Sequence, residues 1–196
     1  MEDDRGSDSN FESDEVYPPS EDTHLLLEAC LDEIDGGKLL EVGTGSGFVS
    51  HKIDEKTSAE VVATDINPHA VREASHRGVE AVRTNLVDAV CWEFDYVVFN
   101  PPYLPERDDE DESRSWSWID EALTSGKTGR SVTVEFLETV GRVLADDGTV
   151  LLLVSSKTGI REVTQRASDE GFGVAQAARS SLFFEELVVL RLTKNN

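Results

Sequence analysis

Cysteine is scarce in this chain, which has Cys30 and Cys91 as its two examples among 196 residues. Neither belongs to a pattern with metal-ligand spacing, so we predict no cysteine-based metal centre and no bound metal. Two cysteines in apolar surroundings also do not form a disulfide framework. We therefore expect both to be buried, reduced thiols, as in a reducing compartment.

Long hydrophobic runs are also lacking. No stretch of the sequence is long and apolar enough to cross a bilayer. The first residues, Met1-Glu2-Asp3-Asp4, lack the basic and apolar regions of a signal peptide. These two absences lead us to expect a cytoplasmic protein that does not associate with membranes.

Basic residues are few, with 18 lysines and arginines against 40 acidic residues and a net charge of −22. A surface that binds many nucleic-acid phosphates needs clustered positive charge, so we expect no direct contact with nucleic acid. Two interpretations of the acidity remain open. The acids could serve a basic partner, or they could adapt the chain to a very salty cytoplasm where ions screen their repulsion. Because the acids are spread over the whole chain, we favour the halophilic interpretation.

Residues 1–15 differ in composition from the rest, with seven acids and one aromatic residue. Such a segment cannot bury enough apolar surface to offset the entropy lost on ordering. We therefore predict an acidic disordered tail over 1–15 and a single domain over 16–196, whose length is typical of one hydrophobic core.

Within that domain, apolar strand-like runs alternate with helix-like segments up to a closing hairpin. This alternation predicts an α/β doubly wound sheet. We predict that Ser20 caps the first helix and that Asp146-Asp147-Gly148 ends the fourth. The predicted helices cover about 21–33, 68–77, 131–144 and 158–170, with another that opens at 48, and the predicted strands cover 38–42, 61–65, 79–84 (at a sheet edge), 94–99, 149–154, 173–179 and 185–192.

A glycine-rich loop, Gly43-Thr44-Gly45-Ser46-Gly47, joins the first predicted strand to the helix that opens at Phe48. In a strand–glycine loop–helix unit, free backbone N–H groups face a nucleotide-like ligand. A dinucleotide fingerprint would place its third glycine where Phe48 stands, so this loop favours a ligand without a pyrophosphate. Asp65 ends the next strand, near the spacing at which an acid binds ribose hydroxyls, although it could instead cap a turn with Asn67-Pro68.

Two asparagines follow later strands. Asn85-Leu86 comes after the strand at 79–84, and Asn85 is either a turn residue or a hydrogen-bond partner for adenine. Asn100-Pro101-Pro102-Tyr103 follows the strand at 94–99, and its two prolines cannot continue a central strand. Since the carboxyl ends of parallel strands meet at one sheet edge, we expect the glycine loop, Asp65 and both asparagines to form one site.

Three further stretches have open interpretations. Residues 106–114 hold six acids and no apolar side chain, which predicts a mobile, solvated loop. Trp116 and Trp118 could line a substrate entrance or anchor the core. Gly126-Lys127-Thr128-Gly129-Arg130 is a turn with two cations directly before a predicted helix.

Taken as an ordered set, these motifs resemble the HemK-type release-factor glutamine methyltransferases, in their archaeal and eukaryotic branch. The resemblance covers about residues 16–194, although DNA and RNA amino-methyltransferases share single motifs. It implies a class I methyltransferase (Rossmann-like) fold with a seven-stranded sheet of order 3-2-1-4-5-7-6, helices on both faces and S-adenosyl-L-methionine as cofactor. The motifs that carry it are 17–23, 40–47, 64–68, 100–103 and 126–130.

The resemblance also implies roles for individual residues. The family usually has aspartate where Asn85 stands, often a second glycine at Ser125 and an aromatic residue at Leu123. Catalysis would rest on Asn100, Pro101 and Tyr103. The implied cofactor-binding residues are Thr23, Glu41, Gly43, Gly45 and Gly47 around the methionine end, Asp65 with Ile66 at the ribose, Asn85 with Leu86 at the adenine, and Asn100. The implied substrate-binding residues are Asn100, Pro101, Pro102, Tyr103, Lys127 and Arg130.

The implied acceptor is the glutamine of the Gly-Gly-Gln loop in the archaeal class I release factor. Its amide nitrogen is a poor nucleophile and needs orienting, which the Asn100 side-chain oxygen and the Pro101 carbonyl could do by accepting its two N–H bonds. Tyr103 would pack on the amide plane. The family also implies a heterodimer with a small zinc-binding activator, which we expect at the edge strand 79–84 by strand addition.

Three alternatives remain. A nucleic-acid N6-adenine methyltransferase uses the same Asn-Pro-Pro-Tyr chemistry, but it would normally have a target-recognition domain or a basic face. A protein lysine methyltransferase fits the amide-accepting geometry of Asn100 less well. A non-catalytic cofactor-binding scaffold would bind the same ligand without transferring its methyl group.

Overall fold

The computed structural model describes residues 16–103, 125 and 129–195. The predictions for the tail at 1–15, for 106–114, for both tryptophans at 116 and 118 and for Lys127 lie outside these ranges. Among the helices of the described ranges, none is long and apolar enough to cross a membrane.

Helices and strands alternate along the described residues as predicted. The first helix begins directly after Ser20, and the third begins with Pro68 after Asn67, whose side chain accepts a hydrogen bond from the backbone N–H of His69 at 2.9 Å. The helices are α1 (Glu21–Glu33), α2 (Phe48–Lys56), α3 (Pro68–His76), α4 (Ser131–Thr139) and α5 (Ile160–Asp169). The strands are β1 (Gly36–Val42), β2 (Ser58–Asp65), β3 (Glu80–Arg83), β4 (Phe94–Phe99), β5 (Leu144–Ser155), β6 (Phe172–Ser181) and β7 (Glu186–Lys194).

The seven strands form one sheet in the order β3-β2-β1-β4-β5-β7-β6. The pairs from β3 through β5 are parallel, and β7 is antiparallel to both β5 and β6. This confirms the predicted sheet order and the closing hairpin. It also places β3 and β6 at the two outer edges, with β1 and β4 adjacent in the middle.

Both faces of the sheet are covered. Leu40, Val97 and Leu152 belong to a buried cluster that includes side chains of α4 and α5. Their neighbours along the same strands, Leu39 and Val98, belong to a second buried cluster with side chains of α1 and α2. Since successive residues of a strand face opposite sides, these two clusters are the two layers of a doubly wound core.

The end of α4 differs from the prediction. The helix stops at Thr139, a short 3₁₀ turn covers Val140–Arg142, and β5 has already begun at Leu144. Leu144 pairs with Phe94 and the next pairing joins Thr149 to Tyr96, so 145–148 form a bulge in the strand instead of a helix end. Tertiary pairing with β4 therefore overrides the local turn signal of the two aspartates.

The prediction for the cysteines is half right. Neither is in a disulfide, and Cys30 is buried in α1, but Cys91 is exposed. Cys91 precedes β4 on the amino-terminal side of that strand, where the chain runs over the surface. Its apolar neighbours in sequence therefore did not predict burial.

Candidate active site

Three glycines with left-handed backbone shape the loop between β1 and α2. Gly43, Gly45 and Gly47 have φ angles of 63°, 54° and 75°, values that other residues adopt only with strain. A Cβ atom on Gly43 would lie 3.1 Å from the Phe99 ring, so the loop also passes close to β4. The residue types at these positions therefore follow from the turn itself, and they leave the loop backbone exposed to a ligand.

Glu41 supports this loop from the end of β1. Its side chain is 4% exposed, and its Oε2 accepts hydrogen bonds from the Thr44 hydroxyl at 2.6 Å and from the backbone N–H and hydroxyl of Ser50. Burial raises the pKa of Glu41 to about 7, although the hydrogen bonds from Ser50 and Thr44 oppose that change. The carboxyl group thus connects the loop to α2 and changes charge near neutral pH.

Asp65 connects the loop to the start of α3. Its Oδ2 accepts a hydrogen bond from the Gly45 N–H at 2.8 Å, and its Oδ1 accepts one from the Asn67 N–H at 2.8 Å. Both interpretations from sequence therefore have structural support, because Asp65 caps the turn before Pro68 and also lines the same pocket as the glycine loop. Each oxygen has a second lone pair with which it could accept a ribose hydroxyl.

The wall opposite the loop is formed after β3. Leu86 has a positive φ of 43° and is buried, and its carbonyl accepts a hydrogen bond from the Thr64 hydroxyl at 3.0 Å. The Asn85 Nδ2 group donates to the Glu135 carboxylate at 2.9 Å. This contact fixes which end of the Asn85 amide is the donor, so its Oδ1 is left as an acceptor for an amino group such as that of adenine.

Asn100 is positioned directly after β4, beside the loop. Its Oδ1 atom is buried and has no hydrogen-bond partner within the part of the chain that the structure describes. The side chain lines the same pocket as Glu41 and Asp65. An unpaired buried acceptor costs roughly 1–3 kcal/mol, so an acceptor in a pocket is explained best by a ligand that donates to it.

A contact between distant segments, which sequence reasoning missed, holds the Asn-Pro-Pro-Tyr turn. The Tyr103 hydroxyl donates to Oδ2 of Asp22 at 3.2 Å, and the backbone N–H of Thr23 donates to Oδ1 of Asp22 at 2.6 Å. Burial and the Asp22 carboxylate together raise the pKa of Tyr103 far above its ordinary value. Asp22 is 2% exposed although it is an acid in the first turn of α1, and the sequence predicted no role for it.

The structure brings most of the predicted site residues around one pocket at the carboxyl edge of the sheet. Those that line it are Thr23, Glu41, Gly43, Gly45, Asp65, Ile66, Asn85, Leu86, Asn100 and Pro102. The wall also includes residues that were not predicted as site residues, among them Phe99, Asn67 and Val132.

Four predicted residues are placed elsewhere. Gly47 caps α2 and lies against Ala74 instead of on the pocket wall. Pro101 is buried and Tyr103 packs against the cluster of α1 and α2, and neither lines the pocket. Arg130 lies at the start of α4 and donates to the Thr158 carbonyl at 2.8 Å, so that N–H group joins two loops and does not face the pocket.

Ser125, where the family resemblance implied a glycine, has a structural contact. It is 1% exposed, and its hydroxyl accepts a hydrogen bond from the Val132 N–H at 2.9 Å. A hydroxyl that satisfies a first-turn N–H is the usual cap of a helix. This departure from the family pattern therefore stabilises the start of α4.

The chemistry of the pocket wall fits S-adenosylmethionine. Carboxylates of Glu41 and Asp65 suit an ammonium group and a ribose diol, and Leu86, Phe99 and Val132 provide apolar surface for a flat base. Two of the left-handed glycines, Gly43 and Gly45, line the pocket and keep this part of the loop free of side chains where a ligand would approach.

Comparison with known proteins agrees with this geometry. The sequence model of the family described as methyltransferase small domain matches residues 19–125. A relative from Methanocaldococcus jannaschii, whose provisional name is protein N5-glutamine methyltransferase, is 35% identical over 90% of this chain and 90% of its own length. The human methyltransferase HEMK2 is 31% identical over 92% of this chain and 91% of its own length.

A solved structure shows the same fold. One chain of the E. cuniculi Mtq2–Trm112 complex, which is responsible for methylation of the eRF1 translation termination factor, superimposes with a TM-score of 0.76 and 28% identity. The match covers 92% of this chain and 99% of that one. The sheet order, the pocket at its carboxyl edge and these relatives lead to one assignment: the chain belongs to the HemK-type class I S-adenosylmethionine-dependent methyltransferases, in their archaeal and eukaryotic branch.

Proposed function

We propose that this enzyme methylates the side-chain amide of the glutamine in the Gly-Gly-Gln motif of an archaeal class I release factor, in the cytoplasm. The name of the Methanocaldococcus jannaschii relative specifies protein glutamine, and the E. cuniculi Mtq2–Trm112 complex methylates a termination factor, which supports this acceptor class. The net charge of −22 argues against a polyanionic acceptor such as DNA or RNA.

The observation that carries the proposal is the buried Asn100 Oδ1 atom, which has no partner among the described residues. A primary amide offers two N–H donors on one nitrogen, so it can satisfy this acceptor and a second one. The Pro101 carbonyl, which is held in a fixed direction by the two proline rings, is the second acceptor in the proposal. Two acceptors on one nitrogen determine where its lone pair points.

Orientation is the main contribution of the chain to the reaction. An amide nitrogen is a weak nucleophile because its lone pair is delocalised into the carbonyl, and holding its two N–H bonds favours the pyramidal form. Positioning of this kind provides a large share of the rate in such displacements. Tyr103 acts behind Asn100, since its hydroxyl is held by Asp22 and fixes the turn.

When bound, S-adenosylmethionine supplies a methyl group on a positively charged sulfur, and transfer of that methyl leaves a neutral thioether. The amide nitrogen gains the methyl through a new C–N bond and then loses one proton to water. The methylated nitrogen is acidic, so no general base is required beforehand. The described pocket wall accordingly provides acceptors and apolar surface for orientation.

We propose further that a small zinc-binding activator pairs with β3. This strand is at the outer edge of the sheet, with Glu80 and Arg83 exposed and Val82 42% exposed. An unpaired edge with an exposed apolar side chain is a template for strand addition. Isolation of a fully active enzyme as a lone chain, with no gain in activity or stability on adding the activator, would contradict this part.

The proposed acceptor can be tested with labelled S-adenosylmethionine, the activator and a panel of release factor, DNA and tRNA at high salt. We expect label in release factor alone, and we expect Asn100→Ala to reduce transfer by about 10²–10³-fold, as for other losses of an oriented hydrogen-bond group. Cofactor binding by Asn100→Ala should stay within a few-fold of wild type. Transfer to DNA or tRNA, but not to release factor, would overturn the proposal.

A further inference from the structure

The tip of the β6–β7 hairpin presents two exposed aromatic residues. Phe183 is 94% exposed and Phe184 is 89% exposed, the highest values among large apolar side chains in the described ranges. Their rings contact each other edge to face, with centroids 5.0 Å apart. Two exposed phenylalanines lower the solubility of the protein and add nothing to its hydrophobic core, so their presence needs another reason.

The turn does not require these residues. The backbone N–H of Leu182 donates to the Glu185 carbonyl at 2.7 Å, which leaves Phe183 and Phe184 as the two central residues of the loop. Such positions favour asparagine and glycine, because the common two-residue hairpin turns need positive φ angles. Neither phenylalanine has a positive φ. The turn is therefore not one of those types, and its geometry neither excludes nor requires aromatic side chains.

The base of the tip is fixed to the body of the enzyme. Oε1 of Glu185 accepts a hydrogen bond from the Ser155 hydroxyl at 2.5 Å, and Oε2 accepts one from the Lys157 ammonium at 2.6 Å. Leu182 packs against the cluster of α1 and α2. The two rings thus stand on a rigid support, which reduces the entropy that a partner would have to remove on binding.

The tip lies on the same side of the molecule as the candidate active site. Because β7 is antiparallel to β5 and β6, the β6–β7 turn emerges at the carboxyl edge of the parallel strands, where Asn100 follows β4. Tyr103 and Leu182 pack against the same buried cluster. The Glu185 carboxylate is also near enough to Tyr103 to contribute to raising its pKa.

We propose that Phe183 and Phe184 form a docking site for the folded protein substrate, and that they bind an apolar surface of the release factor next to its acceptor loop. This inference rests on the proposed function, because it names where that protein contacts the enzyme. The position at the carboxyl edge favours the substrate over the activator, which we assign to β3 at the far end of the sheet. Aromatic residues, phenylalanine included, are also enriched in protein interfaces relative to the rest of the surface.

The experiment compares wild type with the double variant Phe183→Ala and Phe184→Ala on two acceptors. One acceptor is the full-length release factor, and the other is a short synthetic peptide that contains Gly-Gly-Gln. We expect the KM for the full-length protein to rise about tenfold or more, with kcat unchanged, because exposed rings bind the partner without touching the reacting atoms. The kinetics with the peptide and the cofactor Kd should remain at wild-type values.

The matched control is Trp92→Ala, which removes an aromatic side chain that is 61% exposed at the opposite end of β4. It should leave both acceptors unaffected. An unchanged KM for the full-length protein in the double variant would overturn the docking site. An equal loss on protein and peptide would also overturn it, since the tip would then support the catalytic pocket itself.

Two further measurements test whether the tip binds a second copy of this chain or the activator instead of the substrate. Sedimentation of wild type and double variant tests whether the tip joins two copies of this chain, and a titration with the activator tests whether the tip binds that protein. A change in either one would contradict the docking site. If wild type methylates neither the protein nor the peptide, the proposed function is wrong, and the docking inference falls with it.

Discussion

Polar side chains of the pocket differ in whether the described part of the chain already satisfies them. Glu41 and Asp65 accept hydrogen bonds from the residues that shape the glycine loop, so they serve the fold even without a ligand. The Asn100 Oδ1 atom is buried without a partner among the described residues. We therefore infer that the two acids mainly stabilise the site, and that the asparagine mainly selects the methyl acceptor.

The pKa of Glu41, raised by burial to about 7, predicts a pH dependence of cofactor binding. The cofactor is positively charged, so it favours the ionised carboxylate, and binding must release a proton wherever Glu41 is protonated. We expect the affinity for S-adenosylmethionine to increase as pH rises from 6 to 8, as measured by titration calorimetry in buffers of different ionisation enthalpy. Glu41→Gln should bind more weakly, and its affinity should depend less on pH.

The Glu41 carboxyl group should affect the stability of the fold in the opposite direction with pH. Because the pKa of Glu41 is higher in the folded chain than in the unfolded one, the folded state binds the proton more tightly. Its contribution to the free energy of unfolding is therefore complete at low pH and is lost as pH rises through about 7. Urea unfolding of the cofactor-free enzyme measures this contribution. Free energies of unfolding that change with pH in the same way in wild type and Glu41→Gln would contradict it.

The contact between Asn85 and Glu135 predicts an effect on cofactor affinity from a residue outside the predicted site. Glu135→Ala should weaken cofactor binding by about fivefold, the equivalent of one hydrogen bond, because the Asn85 amide loses its orientation. Glu135→Gln can still accept from Nδ2 and should bind nearly as wild type. Glu138→Ala, on the same helix but paired with Arg166, is the control and should have no effect.

Elements with local signals in the sequence could be predicted well. The bounds of α1 and β4 agree with the prediction because Ser20 caps the helix and Pro101-Pro102 stop the strand. The bulge in β5 could not be predicted, since it depends on pairing with β4. The contact from Tyr103 to Asp22 joins residues 81 positions apart, and no pattern along the chain reveals such a contact.

Two glycines with positive φ, Gly47 before α2 and Gly78 after α3, should differ in how much an alanine substitution destabilises the fold. A Cβ atom on Gly47 would lie 2.7 Å from the Ala74 Cα atom, whereas a Cβ atom on Gly78 would meet nothing within 4 Å. Gly78→Ala should therefore cost only the backbone strain, about 1–2 kcal/mol. Gly47→Ala should lower the free energy of unfolding by more than that and also weaken cofactor binding.

Denaturant unfolding of the two variants measures this difference, and calorimetry measures cofactor binding. Gly78 is at the surface after α3, so Gly78→Ala should bind the cofactor as wild type does. Equal losses of stability in both variants would show that α2 and α3 do not pack as closely as the structure has them.

At the scale of the whole molecule, the net charge of −22 predicts a dependence on salt. Ions screen repulsion beyond a distance that falls from about 10 Å at 0.1 M to about 3 Å at 1 M. We expect the unfolding midpoint and the methyl-transfer rate to increase over this range of potassium chloride. Sucrose, which leaves the screening of charges unchanged, is the control. An equal increase of the unfolding midpoint and the transfer rate in sucrose would contradict an electrostatic cause.

We propose above that the pocket beside Asn100 holds a glutamine amide of a release factor. Tandem mass spectrometry of release factor, after incubation with enzyme, activator and S-adenosylmethionine at high salt, tests it most directly. We expect one methyl group on the side-chain nitrogen of the Gly-Gly-Gln glutamine, and an about 10²–10³-fold lower transfer rate with Asn100→Ala although that variant still binds cofactor. A methyl group on a lysine or at another site, or the same transfer rate with Asn100→Ala, would contradict it.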